Sequence, residues 1–210
     1  MIRGVLFDLD LTLIDSRRGI WLNFCRLAQA LGLDEPSFEA VSQSIGKPLD
    51  EAMTSFFGRA PQEWLSLYRQ IFSQSGYEGV ELLPGARQAL AQLRERGLKL
   101  AIATNRVAPE EICDRLDLTG AVDGVFGTAH VPHKPEPELL WMACEALGLE
   151  AKDCLYVGDT ALDIEAARRA GMASVAVATG LCDEEALRAL GADYVLASVA
   201  QLPDLVEALL

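Results

Sequence analysis

The chain has 210 residues, half of them hydrophobic and 23% charged, with a formal net charge of −13 and a pI near 4.5. This composition supports a buried core rather than disorder, and an acidic chain with no Lys/Arg-rich block is not expected to bind nucleic acid, whose phosphates it would repel. No stretch approaches the roughly 18–20 apolar residues of a membrane span, the opening Met1–Phe7 does not read as a secretory leader, and Cys25, Cys113, Cys144, Cys154 and Cys182 show neither metal spacing nor a disulfide framework, so a cytoplasmic protein is expected.

Val5, Leu6 and Phe7 lie in an apolar run over residues 4–9 that reads as a buried strand ending in two carboxylates, Asp8 and Asp10. Residues 16–80 change the rhythm. They carry helical patterns over 21–31, 37–45, 49–57 and 62–75 with no strand, punctuated by Gly32, Gly46-Lys47-Pro48, Gly58 and Gly76. A helical cap over 16–80, inserted into a core of 1–15 and 81–210, is the natural division.

Alternation resumes with a helix from Pro84 to Gly97 and a strand over 98–103 that ends in Thr104-Asn105. A weaker strand over 124–126 precedes Lys134-Pro135, which opens a helix to Gly148. The strand 154–157 leads into Gly158-Asp159-Thr160-Ala161-Leu162-Asp163 and a helix over 160–171. Strands over 173–178 and, more weakly, 194–196 complete the series. The fold class is α/β: a Rossmann-like, mostly parallel sheet with helices on both faces, plus the inserted α-helical cap.

Such sheets build their sites beyond the carboxyl ends of the strands, where Asp8, Asp10, Thr104, Asn105 and Asp159 all fall. Asp8 and Asp10 are two residues apart and point to the same side, so their charges repel unless a cation compensates. Asp159 and Asp163 are four apart and are expected on one helical face, although capping of the helix N-terminus would account for one of them. Oxygen ligands without nearby nitrogen or sulfur suit Mg²⁺. Thr104-Asn105 offers a hydroxyl and backbone amides to an anion, as any turn of that composition would. Lys134 is a point charge that can reach forward, and a surface lysine would read identically. Arg106 reads first as a solvated side chain and second as a substrate contact. His130 and His133 lack metal geometry and are expected in structural or exposed roles.

Taken together the four segments resemble the motifs of the haloacid dehalogenase-like hydrolases. Phe7-Asp8-Leu9-Asp10-Leu11-Thr12-Leu13 looks like the first, Thr104-Asn105 the second, Lys134-Pro135 the third, and Gly158 to Asp163 the fourth. They occur in order over nearly the whole chain, and the phosphoglycolate-phosphatase-like branch with a helical cap is the nearest match. The resemblance implies that Asp8 attacks phosphorus to form an aspartyl-phosphate. Asp10 would be the general acid and base, and Thr12 would steady the first motif. It also implies Mg²⁺ on the Asp8 carboxylate, the Asp10 carbonyl and Asp159, with Asp163 supporting, and phosphoryl oxygens held by Thr104, the Asn105 amide and Lys134. Members of the family often hold the Lys-Pro bond of the third motif in cis, and their caps use a loop like that of Lys47 to contact the leaving group. The family usually has glycine at Leu11, where leucine opposes a positive φ and adds bulk near the site.

The implied activity is Mg²⁺-dependent hydrolysis of a small phosphorylated metabolite. Asp10 disfavours dehalogenation, which has no leaving alcohol to protonate. A phosphomutase of the same fold, or a catalytically weak binding protein signalled by Leu11, are the alternatives. Phosphoglycolate, sugar phosphates, nucleotides and pyrophosphate all stay open as substrates.

Overall fold

The apolar runs become the inner strands of one parallel sheet. A computed structural model describes residues 1–75 and 77–210, and Gly76, expected to punctuate the last cap helix, lies outside the described residues. By Cα proximity the chain divides into two compact units, Met1–Ile14 with Leu82–Leu210, and Asp15–Glu81.

The strands in chain order are β1 (Gly4–Phe7), the two-residue β2 (Ile14–Asp15) and β3 (Glu81–Leu82), β4 (Lys99–Ala103), β5 (Gly124–Phe126), β6 (Cys154–Gly158), β7 (Ala173–Val177) and β8 (Tyr194–Leu196). Among the described residues, six of them form a sheet in the order β5-β4-β1-β6-β7-β8, and every described pairing in it is parallel. From β1 the chain moves outward through β4 to β5, then returns to the other side of β1 and continues through β6 and β7 to β8. The reversal lies between β1 and β6, where neighbouring crossovers diverge and leave a crevice at the carboxyl ends.

The centre of the sheet is dry. Val5, Leu6, Phe7, Leu100, Ile102, Leu155 and Val157 are fully buried, and full burial of a side chain of this size stabilises by about 1.5–3 kcal/mol. Continuous apolar strands of this kind need cover on both faces. In this unit α5 (Ala86–Glu95), α6 (Glu110–Arg115), α7 (Glu138–Leu147), α8 (Ala161–Ala170), α9 (Glu184–Ala189) and α10 (Leu202–Leu209) supply it.

The second unit holds α1 (Arg17–Leu31), α2 (Phe38–Ser42), α3 (Leu49–Phe57) and α4 (Gln62–Gln74). Phe24 of α1 anchors it, with ring centroids 4.9 Å from Phe56 and 4.7 Å from Tyr68. The buried Asn23 side chain donates to the Tyr68 carbonyl at 3.0 Å, and Gly32 and Gly58 close α1 and α3 in the left-handed conformation.

Several boundaries differ from the sequence reading. The first strand stops at Phe7 rather than running to residue 9, because Leu9 accepts from Leu13 and Ile14 in a tight turn that returns the chain. The helix expected from Pro135 starts at Glu138. Before it, the Lys134 N–H donates to Asn105 Oδ1 at 2.8 Å, which commits that segment to a loop. The Lys134-Pro135 bond is cis, as expected. α6, α9 and α10 were not anticipated; at six, six and eight residues they are too short to show a period.

Candidate active site

The first motif is a strand end followed by a turn that a left-handed residue must close. That residue is Leu11, with φ of 60°, at a cost of about 1–2 kcal/mol for a non-glycine residue. Its side chain is buried, and that burial offsets the cost. The Leu11 N–H donates to the Ile14 carbonyl at 2.7 Å, and its own carbonyl accepts from the Thr179 hydroxyl. The expected positive φ is therefore present and tolerated by packing.

Asp8 is held in place by the Val157 carbonyl, which accepts its N–H at 2.8 Å, and its carboxylate meets Lys134. The Lys134 ammonium donates to Asp8 Oδ1 at 2.7 Å, Asp163 Oδ1 at 2.6 Å and the Tyr156 hydroxyl at 2.8 Å. All three of its protons are used, and the residue is only 5% exposed. Tyr156 passes its own proton to the Ala103 carbonyl at 2.8 Å. Lys134 is thus a buried, fully bonded cation and not a surface lysine.

Asp159 and Asp163 do not share a helical face. Asp159 precedes the N-cap, Thr160, and Asp163 is the third helical residue, so the four-residue spacing spans the strand end rather than one turn. Asp163 completes a capping box: its Oδ2 accepts from the Thr160 N–H at 3.0 Å, while the Thr160 hydroxyl accepts from the Asp163 N–H at 3.3 Å. Both Asp163 oxygens are therefore engaged, one by the cap and one by Lys134. Two glycines leave the room these acids occupy. A Cβ on Gly158 would lie 2.3 Å from Asp163 Cγ, and one on Gly180 would lie 1.9 Å from Asp159 Oδ2. Thr12, fully buried, reaches Asp159 Oδ1 at 3.5 Å.

The second motif joins this cluster through loop bonds. The Thr104 N–H donates to the Phe126 carbonyl at 3.0 Å and the Thr128 hydroxyl to the Asn105 carbonyl at 2.9 Å. The Asn105 side chain holds the Lys134 backbone, as above. Arg106 departs from expectation: rather than solvated, it grips Asp10, with Nε and Nη2 each 2.8 Å from a carboxylate oxygen. His130 is exposed and His133 half-buried.

The structure therefore brings Asp8, Asp10, Thr104, Asn105, Lys134, Asp159 and Asp163 to one end of one sheet. Lys47 is in the other unit, exposed on the loop between α2 and α3, with its N–H donating to the Ser44 carbonyl at 3.1 Å. Sequence reasoning missed Tyr156, Thr179 and Gly180. A tyrosine within an otherwise apolar strand was the available signal for the first, and nothing local marked the other two.

The electrostatics follow from burial of surplus negative charge. Four carboxylates (Asp8, Asp10, Asp159, Asp163) face two cations (Lys134, Arg106) in this cluster. Burial pushes the Asp8 carboxyl up to about 7; Lys134 opposes the rise, and Asp163 and Asp10 add to it. Burial, with Asp163 and Asp8, raises Asp159 well above the usual carboxylate range. Burial opposes the charge on Lys134, but Asp163 and Asp8 outweigh it and hold the ammonium well above its ordinary value. Carboxylate oxygens of Asp8, Asp159 and Asp163 lie within 4.8 Å of one another. A hard divalent cation fits this donor set, since its charge would balance the surplus and its ligands would all be oxygens.

Comparison with known proteins agrees with this geometry. The profile described as haloacid dehalogenase-like hydrolase matches residues 5–177. The chain is 32% identical to a phosphoglycolate phosphatase of Yersinia pseudotuberculosis, over 96% of this chain and 91% of that protein. A haloacid dehalogenase-like family hydrolase from Streptococcus pneumoniae superposes with a TM-score of 0.83 at 24% identity, over 99% of this chain and 98% of that one. A β-phosphoglucomutase from Clostridium difficile superposes with a TM-score of 0.82 at 20% identity, over 99% and 96%. At such identities the structural likeness establishes the fold alone. No described helix is long and apolar enough to cross a membrane.

Proposed function

Since the chain belongs to the haloacid dehalogenase-like hydrolases, in their phosphoglycolate-phosphatase-like branch, and is a phosphatase, we propose that it hydrolyses a small phosphate monoester through an aspartyl-phosphate on Asp8. One observation carries this reading: the Asp8 carboxylate is buried at a strand end, bonded to Lys134 and surrounded by three further acids at the topological switch point. A merely structural carboxylate has no need of that company.

In this scheme an Asp8 oxygen attacks phosphorus and the ester oxygen leaves with a proton from Asp10. Asp10 then takes a proton from water, which attacks the acyl phosphate and regenerates Asp8. Lys134 holds the Asp8 carboxylate and offers its charge to the phosphoryl oxygens, with the Thr104 hydroxyl and the Asn105 amide as further donors. Asp163 and Tyr156 keep Lys134 charged and aimed. Asp8, Asp159 and the Asp10 carbonyl would hold Mg²⁺, with Asp163 in support. When bound, that ion supplies positive charge against the site's carboxylates and the incoming phosphate.

The test is phosphate release from a panel of phosphorylated metabolites in Mg²⁺ without a bisphosphate activator. Net release of inorganic phosphate is expected. Isomerisation without net release would assign a phosphomutase instead, and no reaction with any ester would leave only a binding role.

Asp15–Glu81 serves in this reading as a cap that lends specificity, with Lys47 contacting the leaving group when the site is closed. Lys47→Ala is then expected to lower kcat/KM about tenfold to a hundredfold on the physiological substrate, or roughly 1.4–2.7 kcal/mol, and to spare a small generic ester. Equal losses on both would assign Lys47 a structural role.

A further inference from the structure

Asp159 is held in the site differently from the other acids. Lys134 bonds Asp8 and Asp163, and Arg106 bonds Asp10. Asp159 is only 2% exposed, yet among the described residues its carboxylate accepts a single hydrogen bond, the 3.5 Å contact from the Thr12 hydroxyl. One bond of that length does not fix a carboxylate. Its direction must come from the walls around it.

Those walls are two segments that meet across the end of β6. Leu11 and Thr12 follow β1, and Thr179 and Gly180 follow β7; β1 and β7 flank β6 on either side, roughly 9–10 Å apart at the usual strand spacing. The Thr179 hydroxyl donates to the Leu11 carbonyl and closes an arch over that gap. One foot of the arch is tied down by the Ala178 N–H, which donates to the Leu196 carbonyl at 2.9 Å, and the other by the Leu11 N–H bond to the Ile14 carbonyl at 2.7 Å. Asp159 lies beneath. A Cβ on Gly180 would be 1.9 Å from Asp159 Oδ2, 2.8 Å from its Cγ and 3.1 Å from its Cβ, so the loop backbone runs along the side chain. The φ of Gly180 lies outside the left-handed region, so the glycine is there for space. Asp159 Oδ1 thus meets Thr12 and Oδ2 meets Gly180, one oxygen on each segment.

We propose that Thr179 and Gly180 are positioning residues of the metal site: their arch fixes the direction of the Asp159 carboxylate, and thereby sets the affinity for a divalent cation and the preference for Mg²⁺ over Ca²⁺. The proposal rests on the reading of Asp159 as a metal ligand. Mg²⁺ demands near-ideal octahedral geometry at short range, whereas Ca²⁺ accepts more ligands in looser arrangements. A carboxylate locked in one direction suits the first ion. One free to turn and bind through both oxygens suits the second. Groups that orient a ligand are worth about 10–100-fold in metal affinity. The Thr179 hydroxyl contributes by closing the arch and Gly180 by leaving room beneath it, so both act through Asp159.

The experiment uses the metal ion alone. Dissociation constants of Mg²⁺ and Ca²⁺ are taken from calorimetric titration of the metal-free protein, with no substrate present, and Asp159→Asn sets the value expected when this ligand is lost. Thr179→Val, nearly isosteric but without the hydroxyl, is expected to weaken Mg²⁺ about tenfold and Ca²⁺ by less than about threefold, so that the preference for Mg²⁺ falls. Thr179→Ser keeps the hydroxyl and should hold the wild-type ratio. Gly180→Ala is expected to weaken Mg²⁺ about tenfold to a hundredfold, and Thr179→Val decides the matter if that variant does not fold. Ser174→Ala breaks the contacts to Asp193 at the other end of β7 and is the structural control: its melting temperature should fall with both affinities unchanged. A Mg²⁺-to-Ca²⁺ preference unchanged in Thr179→Val, or lowered as far in Thr179→Ser or Ser174→Ala, overturns the proposal. The metal reading fails by a different result, equal Mg²⁺ binding in wild type and Asp159→Asn, and the positioning role then falls with it.

Discussion

Asp8→Asn is expected to lower kcat by at least about 10⁴-fold, roughly 5.5 kcal/mol of transition-state stabilisation, without unfolding the protein. The amide fills the same space but is a poor nucleophile. Lys134 keeps Asp163 and Tyr156 as partners, so the buried ammonium is not abandoned. Burial already pushes the Asp8 carboxyl up to about 7, and removing its charge relieves the cluster. The melting temperature should therefore fall by no more than about 3 °C, or about 1 kcal/mol in a chain of this size. Near-wild-type turnover in a sample verified free of deamidation would remove Asp8 from the chemistry.

Removing the metal is expected to have a comparable effect. Chelation should abolish turnover, Mg²⁺ should restore it, and Ca²⁺, which prefers more ligands and looser geometry, should inhibit. Stability gives a readout that does not depend on activity. Mg²⁺ at about 100 times its dissociation constant stabilises by about 2.7 kcal/mol, which corresponds to a rise in Tm of about 5–10 °C. Asp159→Asn should lose most of that rise, yet melt higher than wild type in chelator, because it removes one of the mutually repelling buried carboxylates. The pH dependence has a definite sign. The folded Asp8 carboxyl, at about 7, lies above its ordinary 3.8, so the folded state holds its proton more tightly than the unfolded chain. In chelator this contribution is fully present below about pH 4 and lost as pH rises through 7. The stabilisation by Mg²⁺ should therefore be larger at pH 8 than at pH 5. An equal Tm gain in Asp159→Asn and wild type would place the ion elsewhere.

The site was legible to the extent that it sits where strands end. Val5–Phe7, Leu100–Ala103 and Leu155–Val157 are apolar enough to read as buried strands, and each is followed within two residues by a polar residue of the site, Asp8, Thr104 and Asp159. Alternation of strand and helix then dictated a parallel sheet, and Thr160 and Gly171 marked the ends of α8 almost to the residue. What stayed hidden depends on contacts between segments far apart in the chain. Lys134 reads as a surface residue until Asp163 and Tyr156 are brought to it, and Arg106 reads as solvated until its loop is docked on β5 beside Asp10. Gly180 matters only because Asp159, 21 positions earlier, lies against it. The shared helical face expected for Asp159 and Asp163 failed for a local reason: the helix begins between them.

The covalent step itself is open to direct observation. Rapid mixing with a substrate labelled in its phosphoryl group, followed by acid quench within the first turnover, digestion and mass spectrometry, reports where the phosphoryl group rests. One acid-stable, base-labile label is expected on the peptide that begins at Gly4, localised to Asp8, and it should disappear in Asp8→Asn. A label on any other residue, or turnover at the wild-type rate by Asp8→Asn with no labelled peptide, would contradict it.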